Sequence, residues 1–124
     1  RPLATAELLQ AVLAAARETG GAIPGRAVMD TIKRADAEGL VQETVPRDRV
    51  YAVETPQCFD IAKLQEAFRR FPDSLTDDAG TMEAAGFPVK IVPDPAFNLK
   101  LTCPGDLALL KKLLLMQENP EKTL

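Results

Sequence analysis

The stretch TVPRDRVYAVETPQCF, Thr44–Phe59, places a short apolar segment between two groups of polar residues. Its centre, Val50–Val53, is rich in β-branched and aromatic side chains, a composition that favours a β-strand. Arg47 and Arg49 come before this segment, and Thr55–Gln57 follows it directly. A strand that only packs needs no such flanks, so we predict a short buried strand with anion-binding groups at its ends.

The composition is typical of one soluble globular domain, or part of one. The chain has 124 residues, of which 46% are hydrophobic and 27% are charged. The net charge of -3 argues against a nucleic-acid-binding surface, which is usually basic. No apolar run approaches the roughly 18 residues of a membrane-spanning helix. We therefore predict neither a nucleic-acid partner nor a membrane partner.

Histidine is absent, which removes the commonest general base and the commonest metal ligand. Cys58 and Cys103 lack CxxC spacing, so they predict neither a zinc site nor a disulfide framework. Two such cysteines are typical of small, half-buried hydrophobic residues in a reducing cytoplasm. Any chemistry of this chain must use other groups.

Helical and extended segments alternate outside the quoted stretch. The predicted helices cover 5–19, 61–71, 76–85 and 104–116, with Thr5 and Thr76 as the caps of the first and third. The predicted strands cover 87–92 and 98–102. The segment 22–28 contains Pro24 and is a strand only if Pro24 lies at an edge or a bulge. We read Asp77 and Asp78 as first-turn residues and not as metal ligands. This alternation predicts an α/β fold with a mostly parallel sheet.

The segment MDTIKRADAEGLVQETVPR, Met29–Arg47, predicts a β-hairpin inserted into that fold. Two extended pieces, Thr31–Arg34 and Leu40–Val45, flank a turn-like Ala35–Gly39. A lone two-stranded hairpin is marginally stable in water. It must therefore lean on its own domain or on a partner subunit, and we prefer the second alternative.

A few cations and hydroxyls are candidates for an anion site. Arg47 and Arg49 share one face at period 2, and arginine binds phosphate through paired donors; the alternative is a solvated pair at a strand edge. Lys100, between two leucines, is either a surface residue or part of a site. Thr31 offers a hydroxyl to a phosphate, or is simply a good strand former.

Several segments together resemble one enzyme family, 2-C-methyl-D-erythritol 4-phosphate cytidylyltransferase. They occur in the family's order and spacing: RPL, DTIKR, TVPR, ETPQCF, TDDAGTMEAAG, NLKLT and PGDLALL. The resemblance spans essentially the whole chain. It implies that residues 1–124 are the C-terminal part of a single nucleotidyltransferase domain, with a hairpin arm over about 29–49. We accordingly expect that a CTP-binding N-terminal half precedes Arg1 in a longer protein.

The resemblance also implies a fold, a reaction and partners. The fold is Rossmann-like, with a mostly parallel sheet flanked by helices and a hairpin arm that joins two subunits of a homodimer. The reaction transfers the cytidylyl group of CTP to the polyol phosphate with Mg²⁺, whose ligands are expected mainly in the N-terminal half. The expected location is the cytoplasm, or the plastid stroma in a plastid-bearing organism. The isolated chain is expected to be inactive.

Carried over residue by residue, the resemblance implies two catalytic groups, Arg47 and Lys100. Arg1, Thr31 and Thr55 are implied to bind the substrate, with Thr31 and Arg47 reaching the partner's site. No metal-binding or cofactor-binding residue is predicted within this chain.

Two alternatives stay open at the level of sequence. The first is a sister enzyme that uses CTP with another polyol phosphate, such as ribitol 5-phosphate. The second is a non-catalytic module for sugar-phosphate binding or dimerisation. Arg49 is expected to be structural.

Overall fold

The computed structural model describes residues 1–72, 76–96 and 98–118, with four helices and six strands. In chain order they are α1 (Ala6–Thr19), β1 (Gly21–Ala27), β2 (Ile32–Ala35), β3 (Val41–Val45), β4 (Tyr51–Val53), β5 (Cys58–Phe59), α2 (Ile61–Arg70), α3 (Asp78–Ala84), β6 (Lys90–Pro93) and α4 (Pro104–Glu118). None of these helices is both long enough and apolar enough to cross a membrane.

The first helix begins and ends where local chemistry predicts. The Thr5 hydroxyl accepts a hydrogen bond from the Leu8 N–H at 3.1 Å, which caps the first turn. Gly20 adopts a left-handed φ of 93° and donates its N–H to the Ala16 carbonyl at 2.7 Å. Since this conformation favours glycine, the helix stops there and β1 begins at the next residue.

Strand β1 lies at the centre of the main sheet. On one side it pairs antiparallel with β4 and then with β5, and on the other side it pairs parallel with β6. The prediction of a mostly parallel sheet is therefore wrong for the described residues, because the sheet is mixed. The hairpin β2–β3 between β1 and β4 returns the chain in the opposite direction, which makes the β1–β4 pair antiparallel.

Pro24 lies inside this central strand, although its missing N–H predicts an edge or a bulge. Its carbonyl accepts from the Glu54 N–H at 2.9 Å, so its backbone faces the β4–β5 side. Between Val53 and Cys58 the neighbouring chain leaves the sheet. The missing N–H therefore falls where the neighbouring strand is interrupted, and no ladder bond is lost.

Three other predictions need correction. Strand β4, which was predicted to be buried, is an exposed edge strand, with Tyr51 38% and Val53 39% exposed. Helix α3 is capped by Asp77 and not by Thr76, because the Asp77 carboxylate accepts from the Gly80 N–H at 2.9 Å. Residues 98–102 form no strand, because side chains bind this backbone: Arg1 donates to the Asn98 carbonyl, and Asp106 accepts from the Thr102 N–H.

Helices cover both faces of the sheet. Cys58 packs against the cluster centred on α1, whereas Phe59 packs against the cluster shared by α2 and α3. Successive strand residues point to opposite faces, so α1 lies on one face and the α2–α3 pair on the other. The buried members are Leu8, Val12, Ala15, Ala16 and Ala22 in the first cluster, and Ala67, Met82 and Ala85 in the second.

The predicted hairpin is present as a separate two-stranded sheet, β2–β3. At its tip the Asp36 carboxylate accepts from the N–H groups of Glu38 at 3.1 Å and Leu40 at 2.8 Å. Among its apolar side chains Leu40 is 67% and Val41 61% exposed, whereas Ile32 and Val45 are half-buried. The hairpin is thus stabilised mainly by its own hydrogen bonds.

Candidate functional site

A cleft of about 530 Å³ opens where the chain leaves strand β4. Thr55 lies just beyond that strand, which runs antiparallel to β1, so the cleft does not lie at the carboxyl edge of the parallel β1–β6 pair. The segments that line the cleft come from four parts of the chain. The lining residues are Arg1, Val53, Glu54, Thr55, Gln57, Thr76, Asp77, Lys100 and Leu101.

Three of the five predicted site residues, Arg1, Thr55 and Lys100, line this cleft together. The other two, Thr31 and Arg47, belong to the hairpin region and do not line it. One chain therefore brings together the predicted strand-end residues but not the two residues of the arm.

Arg1 is held against the wall of the cleft by three acceptors. Its Nη1 donates to the Asn98 carbonyl and lies 3.4 Å from Glu54 Oε1. Its Nη2 donates to the Val53 carbonyl at 3.5 Å. The side chain is 18% exposed. The guanidinium is thus fixed in orientation while part of it still faces solvent.

Glu54 is a buried carboxylate that the sequence analysis did not single out. Its side chain is 1% exposed, and its Oε1 also accepts from Arg26 Nε at 2.8 Å. The only signal in the sequence is a single glutamate directly after an apolar segment, because its partner Arg26 in β1 becomes a neighbour only through the sheet. A buried charge of this kind requires partners.

The Thr55 corner is tied to two other segments. The Asn98 side-chain amide donates to the Thr55 carbonyl at 3.0 Å. Gln57 Nε2 donates to the Glu54 carbonyl at 3.3 Å and to Asp77 Oδ2 at 3.0 Å. The Thr55–Pro56 peptide bond is cis. These cross-links fix the backbone while the Thr55 side chain stays exposed to the cleft.

Lys100 is exposed and lies in a loop, not on a strand. Alternation along a strand therefore cannot explain its position, although it does line the cleft. The loop is anchored just beyond it, where the Asp106 carboxylate accepts from the N–H groups of Thr102 at 2.8 Å and Cys103 at 3.0 Å. These hydrogen bonds lower the pKa of Asp106 to about 2. An anchored loop thus brings an exposed cation to the cleft.

The electrostatics of the cleft suit an anion more than a metal ion. Arg1 and Lys100 are cations, whereas the carboxylates of Glu54 and Asp77 already accept from protein donors. Across residues 1–72, 76–96 and 98–118, no three histidine, cysteine or acidic residues are grouped so that they could hold one metal ion. Since Mg²⁺ often takes only one or two carboxylates besides waters and substrate phosphates, the location of its ligands stays a prediction.

The period-2 argument that places Arg47 and Arg49 on one face does not hold, because neither residue lies in a strand. Arg47 donates to the Met29 carbonyl and thereby closes the base of the hairpin. Arg49 has a φ of 58°, which breaks the period of 2, and its side chain is 89% exposed. Its Nε lies 3.4 Å from the neighbouring Asp48 carboxylate. The expected structural role of Arg49 stays a prediction.

The comparisons with known proteins agree on one family. The family model IspD, 2-C-methyl-D-erythritol 4-phosphate cytidylyltransferase, matches residues 1–116. A relative of that name from Microcystis aeruginosa is 43% identical over 92% of this chain and 52% of its own length. A bifunctional enzyme IspD/IspF from Gluconobacter oxydans is 43% identical over 92% of this chain and 29% of its own length.

Solved structures agree with the sequence comparisons. The 2-C-methyl-D-erythritol 4-phosphate cytidylyltransferase of Thermus thermophilus is 38% identical, with a TM-score of 0.78 over 92% of this chain and 57% of that one. The 4-diphosphocytidyl-2C-methyl-D-erythritol synthase of Anaerococcus prevotii is 30% identical, with a TM-score of 0.81 over 92% and 54%. The resemblance and the α/β fold class predicted from sequence are confirmed. The chain spans about half the length of the single-function relatives it matches.

Proposed function

Because this chain belongs to the 2-C-methyl-D-erythritol 4-phosphate cytidylyltransferase family, we propose that it forms the polyol-phosphate-binding part of such an enzyme. The whole enzyme would transfer the cytidylyl group of CTP to 2-C-methyl-D-erythritol 4-phosphate, in the synthesis of isoprenoid precursors. The observation that carries the proposal is the convergence of Arg1, Thr55 and Lys100 in one cleft at a strand end.

The absence of histidine is compatible with this reaction. The second pKa of a phosphate monoester is about 6, so at neutral pH the nucleophile is already mostly a dianion. One of its oxygens attacks the α-phosphorus of CTP, the bond from that phosphorus to the bridging oxygen breaks, and pyrophosphate leaves. No protein base has to remove a proton, so positioning and charge stabilisation supply the catalysis.

The residues of the cleft have distinct proposed roles. Arg1 and Thr55 bind the polyol phosphate, since one offers fixed guanidinium donors and the other an exposed hydroxyl. Lys100 binds the substrate phosphate and stabilises the negative charge that develops during transfer. Its exposure allows it to follow this charge, whereas Arg1 is held by the protein.

The hairpin arm is proposed to complete the site across a homodimer. The uncovered apolar side chains of the arm, which include Met29 at 78% exposure, would be covered by a second subunit. Thr31 and Arg47 would then reach the polyol phosphate in the partner's cleft. A hairpin supported mainly by its own hydrogen bonds fits this arrangement better than a hairpin packed on its own domain.

The family resemblance also implies Mg²⁺ and a cytoplasmic or plastid-stromal location. As the resemblance implies, we propose that the Mg²⁺ ligands lie mainly in the part of the relatives that this chain does not span. The isolated chain would bind the polyol phosphate without turning over.

Pyrophosphate release by the full-length gene product tests the proposal directly. The assay contains CTP and Mg²⁺ with either 2-C-methyl-D-erythritol 4-phosphate or ribitol 5-phosphate. Release with the first substrate alone supports the proposal, and release with ribitol 5-phosphate alone replaces the substrate but keeps the reaction. No release with either substrate would contradict the proposed activity.

A further inference from the structure

Glu54 stands in the wall of the cleft, yet the proposed reaction gives it no part. Its Oε1 meets both Arg1 and Arg26, and its Oε2 is buried with no hydrogen-bond partner among the described residues. A buried oxygen without a hydrogen-bond partner destabilises the folded state, and a charged one does so more. The charged contacts that Glu54 does make are with two arginines, so its effect on the cleft runs through them.

The neighbour that faces the cleft is Arg1. Its three acceptors come from the end of β4, from the residue after it and from the loop before α4, that is, Val53, Glu54 and Asn98. Only the Glu54 carboxylate is charged, and hydrogen bonds to charged groups are the stronger kind. A guanidinium is a planar fork of fixed donors, so its orientation decides which anion geometry it can bind.

Arg26 is the second arginine that contacts the Glu54 carboxylate. Its Nε lies 2.8 Å from Oε1, and its own side chain is 41% exposed. It stands in β1 beside the paired strand β4, so the sheet register sets the position of Arg26 relative to Glu54. Arg26 therefore fixes the position of the Glu54 carboxylate, and this carboxylate in turn fixes the position of the Arg1 guanidinium.

We propose that Glu54 is a positioning residue that orients the Arg1 guanidinium for a phosphate monoester, with Arg26 fixing Glu54 in turn. The identity of the ligand rests on the function proposed above, but the orientation of Arg1 does not.

Charge and positioning predict opposite results for Glu54→Gln. A carboxylate beside an anion site repels the anion, so if Glu54 acted only as a charge its removal would strengthen binding. If it orients Arg1, its removal releases the guanidinium, and binding weakens although a negative charge has gone. The sign of the change therefore separates the two roles.

The first measurement needs no ligand. In protein labelled with ¹⁵N-arginine, a guanidinium held at both Nη nitrogens rotates slowly and gives resolved Nη signals, which Arg1→Lys assigns. We expect slow rotation of Arg1 in the parent and fast rotation in Glu54→Gln. Fast rotation in the parent, or slow rotation in the variant, would overturn the proposal.

The second measurement is calorimetric binding of 2-C-methyl-D-erythritol 4-phosphate. We expect Glu54→Gln to weaken binding about 10-fold, the effect of one lost hydrogen bond to a charged group. Glu43→Gln is the matched control, because it removes the same charge from another Glu–Arg pair, with Arg34, on the exposed arm. We expect that control to bind like the parent.

A double variant checks the route through Arg1. In the Arg1→Ala background, Glu54→Gln should cause no further weakening, since there is no guanidinium left to orient. Tighter binding by Glu54→Gln in the parent background, or equal weakening in both backgrounds, contradicts the proposal. Absence of binding by the parent contradicts the proposed function instead, and the rotation of Arg1 then decides the positioning role alone.

Arg26→Lys covers the case in which Glu54→Gln does not fold. It keeps the charge and loses the Nε donor, on a side chain that is partly exposed. We expect about 3-fold weaker binding and faster rotation of Arg1. An unchanged rotation rate in this variant would overturn the proposed support of Glu54 by Arg26.

Discussion

The cleft and the hairpin arm carry the five predicted site residues, but they are built in opposite ways. In the cleft, side chains bind backbone groups from distant segments, and Glu54 and Asn98 are almost completely buried. In the arm, Arg34 pairs with Glu43 and Lys33 donates to Thr44 across the same hairpin. The comparison teaches that the cleft residues are held by contacts between distant segments of one chain, whereas the arm is held mainly by contacts within itself.

The largest expected effect comes from removing one cation in each region. Within the intact enzyme, Lys100→Ala and Arg47→Ala should each lower kcat about 10²–10³-fold, the usual size for one electrostatic stabiliser of a transition state. Steady-state pyrophosphate release measures this loss. Arg49→Ala is the control, because its side chain is exposed and has no proposed contact with substrate. Rates within a few-fold of the parent for both variants would remove these assignments.

Mixing the two inactive variants sharpens the comparison between arm and cleft. If Arg47 acts in the partner's cleft, a mixed dimer of Arg47→Ala and Lys100→Ala contains one intact site. Statistical exchange of subunits makes about half of the dimers mixed, so about a quarter of the parent activity should return. Activity that stays at the level of the separate variants after complete exchange would show that Arg47 does not act across the dimer.

Asn98→Ala tests whether the cleft depends on its buried cross-links. The variant removes the amide that donates to the Thr55 carbonyl and leaves this partly buried acceptor without that donor. We expect a loss of about 1–3 kcal/mol in the free energy of unfolding, measured by urea denaturation. Gln42→Ala is the arm control, since its donor contact with Asp36 is exposed. Equal losses for the two variants would mean that the cleft is no more dependent on its contacts than the arm.

The smallest expected effect concerns the anchor of the Lys100 loop. Because hydrogen bonds lower the pKa of Asp106 from 3.8 to about 2, its ionised form stabilises the folded state at pH above about 4. That contribution falls as the pH drops from about 4 through about 2 and the carboxylate becomes protonated. Denaturation across this range should show a component that Asp106→Asn lacks. The same pH dependence in both proteins would exclude Asp106 as its source.

Local chemistry explains why the helices and the hairpin could be predicted closely. Thr5, Gly20 and the Ala35–Gly39 turn act through residues only a few positions away, so the sequence carries the whole signal. The cap at Asp77 was missed by one residue, since Thr76 is equally suited to the same position.

Contacts between distant segments explain most of the differences between the predictions from sequence and the structure. Lys100 was placed on a strand because its leucine neighbours suggest alternation, yet the described part of its segment has no strand partner. Asn98 and Glu54 were passed over, because a single amide or carboxylate has no local mark of burial. The missing N–H of Pro24 predicts an edge or a bulge, but its effect depends on where the neighbouring strand stops, which the local sequence does not show.

The sequence by itself determined the family, most helix ends and the self-paired hairpin, because these depend on motif order and on contacts within a few residues. Only the tertiary structure decided the mixed sheet, the exposed edge strand and the buried support of the cleft. The hydrogen bond from Arg1 to Asn98 joins residues 97 positions apart. No local pattern encodes such a contact, since it exists only when the sheet register and the packed helices bring both segments to one place.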